Sequence, residues 1–532
     1  MHACGLRSRN GAETMENLVE LARSAAARWP NERALVFDQT GETLTFSEFD
    51  RHTDAIASAL ISAGVCPGDR VLVCSANTPL FPLAWFATLK AGAAIVPINV
   101  AYRIEDAHHL AALVEPKVAF CDVARLPLIE AIQRQTPALE RVVSSSSPNG
   151  GGAISLRDFI SGGDAAPPDV KITAETLANI QFTSGTSGMP KGCMLSHAYW
   201  LEFANAIRSS VLEMSPADGM LMAQAFSYLD PQWALVLCLL SGSRLVVLER
   251  FRPSQLWDKI VEHDVRFFYC LAAMPLMLLS CPPVEAERAH RLRVVMCSAL
   301  PADRHAELEQ RFNVPWLEAY GSTETGADLG VSWADHEAAR GAATIGRPLR
   351  HRQADIVDPS FASLPVGAVG ELVVRGPGMM QGYWRNPAAT AEAFNNGWYR
   401  TGDLARRDES GLYFLVGRRK DMIRRAGENI AAAEVEGVLQ QHPAVVLSAC
   451  VAVPDPVRNE EIKVFVVRSA DVGAEELAQF LEERLARFKV PRYWTFVERL
   501  PMTPSERVSK PHLSREIGPD VIDRQASIVA HR

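Results

Sequence analysis

Short apolar runs of β-type residues alternate with longer helical patterns through most of the chain. Six runs of this kind, each five or six residues long, are Arg70–Cys74, Ala94–Ile98, Lys117–Cys121, Ser243–Leu248, Val265–Cys270 and Leu292–Cys297. Strands that are apolar throughout are typical of parallel sheets covered by helices on both faces. We therefore expect an α/β fold built on helix-covered, mostly parallel sheets.

The pattern changes near Gly346. Two runs, Gly370–Arg375 and Gly411–Val416, are typical of hairpin strands and predict a small β-barrel-like part. The last part of the chain predicts a small α+β unit made of Val445–Val453, Ile462–Val467, the amphipathic helix Ala474–Phe488 and Tyr493–Val497. Because 532 residues are too many for one core, we expect a large N-terminal domain at 1–417 and a small C-terminal domain at 418–532.

Composition excludes some classes of protein. The chain has 54 Lys and Arg against 62 Asp and Glu, a net charge of −8, which makes it a poor candidate for nucleic-acid binding. Its two long uncharged stretches, 71–89 and 267–284, both contain proline, so no membrane span is expected. The ten cysteines form no C-x-x-C pair and mostly lie in apolar runs. That pattern favours buried free thiols and a cytoplasmic location.

A loop rich in glycine and hydroxyl residues follows the strand-like run Ala178–Phe182. Residues Thr183–Gly192 read TSGTSGMPKG. Backbone N–H groups, hydroxyls and one lysine in such a loop can surround a polyphosphate. It is not a Walker A motif, because Pro190 precedes Lys191 and no Gly-Lys-Ser/Thr follows. The alternative, a flexible Ser/Gly linker, is disfavoured by the preceding strand and the Pro-Lys-Gly ending.

This loop resembles the signature of the adenylate-forming superfamily, which comprises acyl-CoA synthetases, peptide-synthetase adenylation domains and firefly luciferase. Four further segments resemble the family's other motifs in the same order: Glu318–Gly326 (EAYGSTETG), Tyr399–Asp403 (YRTGD), Gly417–Ile430 and Lys489–Arg492 (KVPR). The resemblance covers nearly the whole chain and favours the acyl-CoA synthetase branch. It implies an ATP-dependent carboxylic acid:CoA ligase, which forms an acyl-adenylate and pyrophosphate and then an acyl-CoA and AMP. The implied cofactors are ATP, Mg²⁺ and CoA, the last as a substrate.

The resemblance also implies roles for individual residues. The phosphates of ATP are held by Lys191 together with Thr183, Ser184, Gly185, Thr186, Ser187 and Gly188. Glu324 binds Mg²⁺ and Thr323 contacts the α-phosphate. The AMP part is bound by Ser298, Ala299, Tyr320, Gly321, Asp403 and Arg418. Among these, Tyr320 packs on the adenine and Asp403 accepts hydrogen bonds from the ribose hydroxyls.

Two positions are implied to serve the second half-reaction. In the family, a small C-terminal domain swings between an adenylating and a thioester-forming pose, and the pivot corresponds to Lys420. Gly427 corresponds to a position beside the pantetheine tunnel, where only a minimal side chain permits close approach. A polar, solvated turn at this point is compatible with a hinge.

The last family motif departs from its usual form. A Gly-Lys pair, whose lysine bridges the carboxylate and the α-phosphate, is replaced by Glu506-Arg507. Three interpretations remain open. Arg507 replaces the lysine with a planar, less compact cation, Lys510 reaches the site instead, or the first half-reaction is weakened.

The acyl pocket is expected around residues 225–233. Tyr228 lies where relatives have a gating aromatic or His, and the spacing of Asp230 and Gln232 resembles crotonobetaine/carnitine:CoA ligases. Asp230 is then a counter-charge for a quaternary ammonium. The alternative is that Asp230 only caps a helix that starts at Pro231.

Two rival functions remain open beside the CoA ligase. A stand-alone adenylation enzyme would load its acid onto a carrier protein instead of CoA. A catalytically weakened homologue would bind nucleotide without releasing pyrophosphate, as the substitution at Arg507 suggests.

Overall fold

The computed structural model describes residues 15–147, 152–163, 169–183, 190–271, 274–425, 428–502 and 508–524. The strands in chain order are β1 (Arg33–Phe37), β2 (Thr43–Thr45), β3 (Arg70–Cys74), β4 (Ala94–Pro97), β5 (Val118–Cys121), β6 (Arg141–Ser144), β7 (Ile154–Ser155), β8 (Leu177–Thr183), β9 (Lys191–Ser196), β10 (Gly219–Met222), β11 (Arg244–Val247), β12 (Val265–Leu271), β13 (Val294–Ser298), β14 (Trp316–Ser322), β15 (Gly326–Gly330), β16 (Thr344–Pro348), β17 (Gln353–Val357), β18 (Gly370–Arg375), β19 (Phe394–Asn395), β20 (Trp398–Arg407), β21 (Tyr413–Arg418), β22 (Met422–Arg425), β23 (Glu428–Ala431), β24 (Val445–Asp455), β25 (Asn459–Arg468), β26 (Tyr493–Phe496) and β27 (Ile522–Asp523).

The α-helices in chain order are α1 (Leu18–Arg28), α2 (Phe46–Ser62), α3 (Leu80–Lys90), α4 (Ile104–Val114), α5 (Leu126–Gln133), α6 (Leu156–Ser161), α7 (His197–Ser210), α8 (Leu229–Ser241), α9 (Leu256–Glu262), α10 (Met274–Ser280), α11 (Ala286–Ala289), α12 (His305–Phe312), α13 (His336–Ala339), α14 (Pro387–Ala393), α15 (Ala432–Leu439) and α16 (Ala474–Glu482). None of the described helices is long and apolar enough to cross a membrane.

The first sheet has the strand order β7-β6-β5-β3-β4-β8-β9. Every neighbouring pair is parallel except β8 and β9, which are antiparallel and belong to one hairpin. Its central strands are buried except for Arg70 at the start of β3, and helix α3 beside them is buried throughout. The uniform apolar runs in the sequence reflect this burial, because such strands have helices on both faces.

The second sheet is mostly parallel in its first part and antiparallel in the rest. From β1 to β14 it runs parallel in the order β1-β11-β10-β12-β13-β14, and β2 is added antiparallel at one end. At residues 323–325 the chain reverses, and the sheet continues antiparallel through β15, β16, β21, β20, β18 and β17. The predicted barrel-like part is thus an antiparallel extension of a parallel sheet. The expectation of mostly parallel, helix-covered sheets is confirmed.

The third sheet lies in the C-terminal segment. It has the order β23-β22-β25-β26-β27, with β24 paired to β25, and its apolar side packs against α15 and α16. The predicted helix Ala474–Phe488 is too long, because α16 ends at Glu482. The chain turns there, and Leu485 packs against the same apolar cluster as the helix does.

The described cysteines are all free. Seven are buried, Cys281 is half-buried and Cys66 is exposed. This agrees with the expectation of buried thiols, since buried cysteine behaves as a small apolar side chain.

A buried ion pair braces the turn at which the second sheet reverses. The side chains of Arg352 and Asp328 are each 1% exposed, and Nε of Arg352 donates to Oδ1 of Asp328 at 2.8 Å. The same guanidinium donates to the carbonyl oxygens of Thr325 and Pro377. Arg352 therefore joins the residue after Glu324 to the segment that follows β18.

Replacing Arg352 by methionine is expected to lower the free energy of unfolding by about 3–5 kcal/mol, because Asp328 would stay buried without its cation. The urea midpoint measures this. The matched control is Arg252→Met, since Arg252 and Glu249 form an ion pair with side chains 41% and 42% exposed. That change should cost less than about 1 kcal/mol. Equal midpoints for the two variants would contradict the bracing role of Arg352.

Candidate active site

The hairpin of β8 and β9 presents the first part of the site. Thr183 ends β8 and is paired directly with Lys191, the first residue of β9. The two ends of the predicted phosphate loop are therefore adjacent across the hairpin. The loop residues themselves, Ser184, Gly185, Thr186, Ser187 and Gly188, lie outside the described residues.

Lys191 and Glu324 both contact one tyrosine, Tyr383, which belongs to none of the motifs recognised in the sequence. Nζ of Lys191 lies 4.9 Å from the centroid of the Tyr383 ring. The Tyr383 hydroxyl donates to Oε1 of Glu324 at 2.9 Å. Lys191 belongs to the first sheet, whereas Glu324 lies in the turn between β14 and β15 of the second. The structure thus brings together two site residues that are far apart in sequence.

The backbone around Tyr383 is joined to both sheets. We call residues 380–384 the linking segment. Met380 N donates to Glu324 O at 2.7 Å, which fixes the turn of the second sheet. Three more bonds join the segment to β9: Gln381 N to Met194 O at 2.8 Å, Met194 N to Gly382 O at 2.9 Å and Trp384 N to Gly192 O at 2.7 Å. Backbone hydrogen bonds therefore fix the strand that carries Lys191 relative to the turn that carries Glu324.

Tyr320, Asp403 and Arg418 form a second group. The Tyr320 hydroxyl donates to Oδ2 of Asp403 at 2.6 Å, and Nε of Arg418 lies 3.2 Å from Oδ1. Asp403 and Arg418 are direct neighbours across β20 and β21, which explains their pairing. Burial and the negative charge of Asp403 raise the pKa of Tyr320, so its hydroxyl stays protonated. The structure brings these three predicted residues together.

Gly321 and Thr323 follow Tyr320 towards the turn. A Cβ on Gly321 would lie 1.9 Å from the carbonyl oxygen of Gly326, so no larger residue fits without a backbone shift. The carbonyl oxygen of Thr323 accepts a hydrogen bond from the buried Tyr199 hydroxyl at 3.0 Å. This hydrogen bond holds the backbone of Thr323 against helix α7.

The segment 298–300 continues β13 and contains an unusual backbone conformation. Ala299 has a φ of 65°, which non-glycine residues rarely adopt. Its N–H donates to Oε1 of Glu318 at 2.9 Å, and the Leu300 N–H donates to Oε2 at 2.6 Å. Burial raises the pKa of the Glu318 carboxyl to about 8, although the two N–H bonds act in the opposite direction. Ser298 is held separately, by donating to Ala319 O at 2.8 Å.

Tyr228 and Asp230 lie at the start of α8. The helix begins at Leu229 and its N-cap residue is Tyr228, so the alternative in which Asp230 caps a helix from Pro231 is wrong. Asp230 instead lies in the first turn, where its negative charge interacts favourably with the positive end of the helix dipole. Asn99 donates to the Tyr228 hydroxyl oxygen at 2.7 Å. Tyr228 and Asp230 are both half-buried.

Buried amides hold the segment before α8 against the first sheet. Gln181 of β8 donates to Ser227 O at 2.6 Å, and Gln232 donates to Phe226 O at 2.8 Å and to Tyr228 O at 2.9 Å. Asn179 donates to Gln232 at 2.8 Å. Because buried amides must find partners, this network fixes the register of residues 226–228 against β8.

The residues predicted to supply the last cation and the hinge are only partly described. Nζ of Lys510 lies 2.8 Å from Oε1 of Glu436 and 3.5 Å from Oδ2 of Asp421, and its side chain is 19% exposed. Arg507 and Gly427 lie outside the described residues, as does the side chain of Lys420. In this structure Lys510 is thus held within the C-terminal segment by two carboxylates.

Known proteins share this architecture. The AMP-binding enzyme family matches residues 22–384, and the C-terminal domain of AMP-binding enzymes matches residues 434–507. The crotonobetaine/carnitine–CoA ligase of Proteus mirabilis (strain HI4320) is 31% identical over 519 residues, which cover 94% of this chain and 99% of the relative. A feruloyl-CoA synthase from Amycolatopsis sp is 30% identical over 504 residues, or 92% and 98% of the two chains.

Solved structures agree with the sequence relatives. ATP-bound MatB from Rhodopseudomonas palustris superposes with a TM-score of 0.84 at 27% identity, over 93% of this chain and 98% of the other. The amide bond synthetase McbA from Marinactinospora thermotolerans gives a TM-score of 0.82 at 27% identity, with the same coverage. The resemblance inferred from the five motifs is confirmed. The chain therefore belongs to the AMP-binding enzyme family and is an adenylate-forming enzyme of its acyl-CoA ligase group.

Proposed function

We propose that this enzyme joins a carboxylic acid to CoA at the site formed by Lys191, Glu324, Tyr320, Asp403 and Arg418. The observation that carries the proposal is the meeting of Lys191 and Glu324 on Tyr383, beside the turn that also holds Thr323. A cation and a carboxylate held close but unpaired suit a polyphosphate that arrives with a divalent ion.

The first half-reaction requires an anionic acid to attack the α-phosphorus of ATP and expel pyrophosphate. Lys191 and the N–H groups of the loop after Thr183 would offset the negative charge of the phosphates. Asp403 would accept from the ribose hydroxyls, and Arg418 would approach the ribose and phosphate. The Tyr320 hydroxyl already donates to Asp403, which orients the carboxylate.

Mg²⁺ is compatible with the donor set. Glu324 supplies a hard carboxylate oxygen, and magnesium in nucleotide sites is usually bound by one or two carboxylates together with substrate phosphates and water. When bound, the ion supplies positive charge that stabilises the departing pyrophosphate. No larger cage of carboxylates is needed for that role.

The second half-reaction would transfer the acyl group from AMP to the CoA thiol after the C-terminal domain moves about Lys420. The division at 417/418 is supported by the apolar clusters: the large cluster includes Tyr413, whereas a separate one begins at Ile423. The Lys510 contacts with Glu436 and Asp421 favour Arg507 over Lys510 as the cation of the first step.

The acid is proposed to be a small carboxylate whose other end reaches Tyr228 and Asp230. The half-buried carboxylate of Asp230 at the start of α8 could face a quaternary ammonium, as in a betaine. The crotonobetaine/carnitine–CoA ligase among the relatives supports this class, whereas the feruloyl-CoA synthase supports an aromatic acid.

The proposal predicts pyrophosphate release that CoA stimulates. The purified protein is incubated with ATP, Mg²⁺ and a panel of betaines, short, branched, aromatic, fatty and amino acids, and the thioester is identified by mass. Release that CoA fails to stimulate would instead indicate a carrier-protein loader. ATP binding without release for any acid would contradict the ligase, and Arg507→Lys then tests whether the altered last motif is the cause.

Two substitutions should separate the half-reactions. Lys191→Ala should lower acyl-adenylate formation roughly a hundredfold or more, because it removes a cation from the phosphates. Gly427→Trp should block thioester formation and leave pyrophosphate release from the first step largely intact. Lys171→Ala, which changes an exposed lysine, is the control for Lys191→Ala. Equal loss of both half-reactions in Gly427→Trp would contradict the role assigned to Gly427.

A further inference from the structure

We propose that Tyr383 is a positioning residue that keeps Lys191 and Glu324 close but unpaired and thereby sets how much Mg²⁺ strengthens ATP binding. The inference rests on the proposed function, which assigns Lys191 to the phosphates and Glu324 to the metal. It adds a residue that lies in neither the phosphate loop nor the other motifs recognised in the sequence.

The hydroxyl of Tyr383 orients the carboxylate. It donates to Oε1 of Glu324 at 2.9 Å, and the tyrosine is only 7% exposed. A carboxylate has two oxygens, so a donor fixed on one of them restricts its rotation and still leaves the other to a cation. A phenol hydroxyl is protonated at neutral pH, so Tyr383 can act as this donor.

The ring of Tyr383 holds the cation in a different way. Nζ of Lys191 lies 4.9 Å from the ring centroid, within the range of a cation–π contact. Such a contact attracts the ammonium without neutralising it. Among the residues that the structure describes, Lys191 forms no ion pair with a carboxylate. The contact with the ring therefore takes the place of a direct Lys191–Glu324 salt bridge. ATP and its metal would have to break such a salt bridge in order to bind.

Tyr399 supports this arrangement from β20. Tyr399 is 6% exposed and interacts electrostatically with both Tyr383 and Glu324. The hydrogen bond of this group joins Tyr383 to Glu324, and Tyr399 lies in its surroundings. Tyr399 lies in the same strand as Asp403, so β20 contributes both to the surroundings of Tyr383 and to the ribose side of the site.

Backbone contacts hold Tyr383 in place, so the role of its hydroxyl can be tested separately. Tyr383 bridges to Cys193 of β9, and the next residue, Trp384, donates to Gly192 O at 2.7 Å. These contacts do not involve the hydroxyl. Tyr383→Phe is therefore expected to keep the ring in place and remove only the hydrogen bond to Glu324.

The experiment measures ATP affinity calorimetrically with and without Mg²⁺, in the absence of acid and CoA. Tyr383→Phe should lose about three- to tenfold of the affinity gained from Mg²⁺, since a hydrogen bond to a charged group is lost. Its metal-free ATP affinity should equal that of the wild type. Tyr383→Leu should also weaken metal-free binding, because Lys191 is then free to pair with Glu324.

The control is Tyr413→Phe, because Tyr413 is 2% exposed and donates to Ala354 O at 2.9 Å in the antiparallel part. It should retain the full gain from Mg²⁺. A full gain in Tyr383→Phe, or an equal loss with and without Mg²⁺, overturns the inference alone. A wild type whose ATP affinity is unchanged by Mg²⁺ overturns the metal role of Glu324, and with it the proposed function's account of this site.

Discussion

Backbone hydrogen bonds of the linking segment, residues 380–384, join the two large sheets at the site. Lys191 belongs to one sheet and Glu324 to the other, and neither sheet alone places them together. The segment bonds to Glu324 O on one side and to Gly192 and Met194 on the other. Each bond contributes only about 1 kcal/mol net, but together they fix the geometry before a ligand arrives. Charges that are already in position cost no reorganisation when the phosphates bind.

Buried polar groups around the site extend this rigidity. Arg352 bonds to the carbonyl oxygen of Thr325, next to Glu324, and to that of Pro377, just before the linking segment. The amides of Asn179, Gln181 and Gln232 similarly fix the segment that ends in Tyr228. Such groups stabilise a fold only when every partner is present, so they specify one arrangement of the strands. The phosphate side and the proposed acid side are both held in this way.

Sequence patterns predicted the parallel sheets well, because strands buried on both faces are uniformly apolar, and Arg70–Cys74 matches β3 residue for residue. In the antiparallel part, the predicted hairpin strand Gly370–Arg375 matches β18 in the same way. Motifs predicted the meeting of Tyr320, Asp403 and Arg418. They did not predict Tyr383 or Arg352, since a single tyrosine or arginine outside a motif has no periodic signal. The only local sign was the Gly-Tyr-Trp at 382–384, whose glycine has a φ of 136° in the structure. The end of α16 was missed because Leu485 continues the apolar spacing of the helix after the backbone has turned.

The carboxyl of Glu318 makes folding of this chain a proton-linked event. Its pKa is about 8 in the folded protein, against an ordinary value of 4.5. Between those two pH values, the carboxyl is protonated in the folded protein and ionised in the unfolded chain. Folding at neutral pH therefore takes up a proton, and this residue's contribution to stability falls as the pH rises through that window. The strained Ala299 backbone is held by the same carboxyl, so alkaline conditions charge the group on which the conformation of residues 299–300 depends.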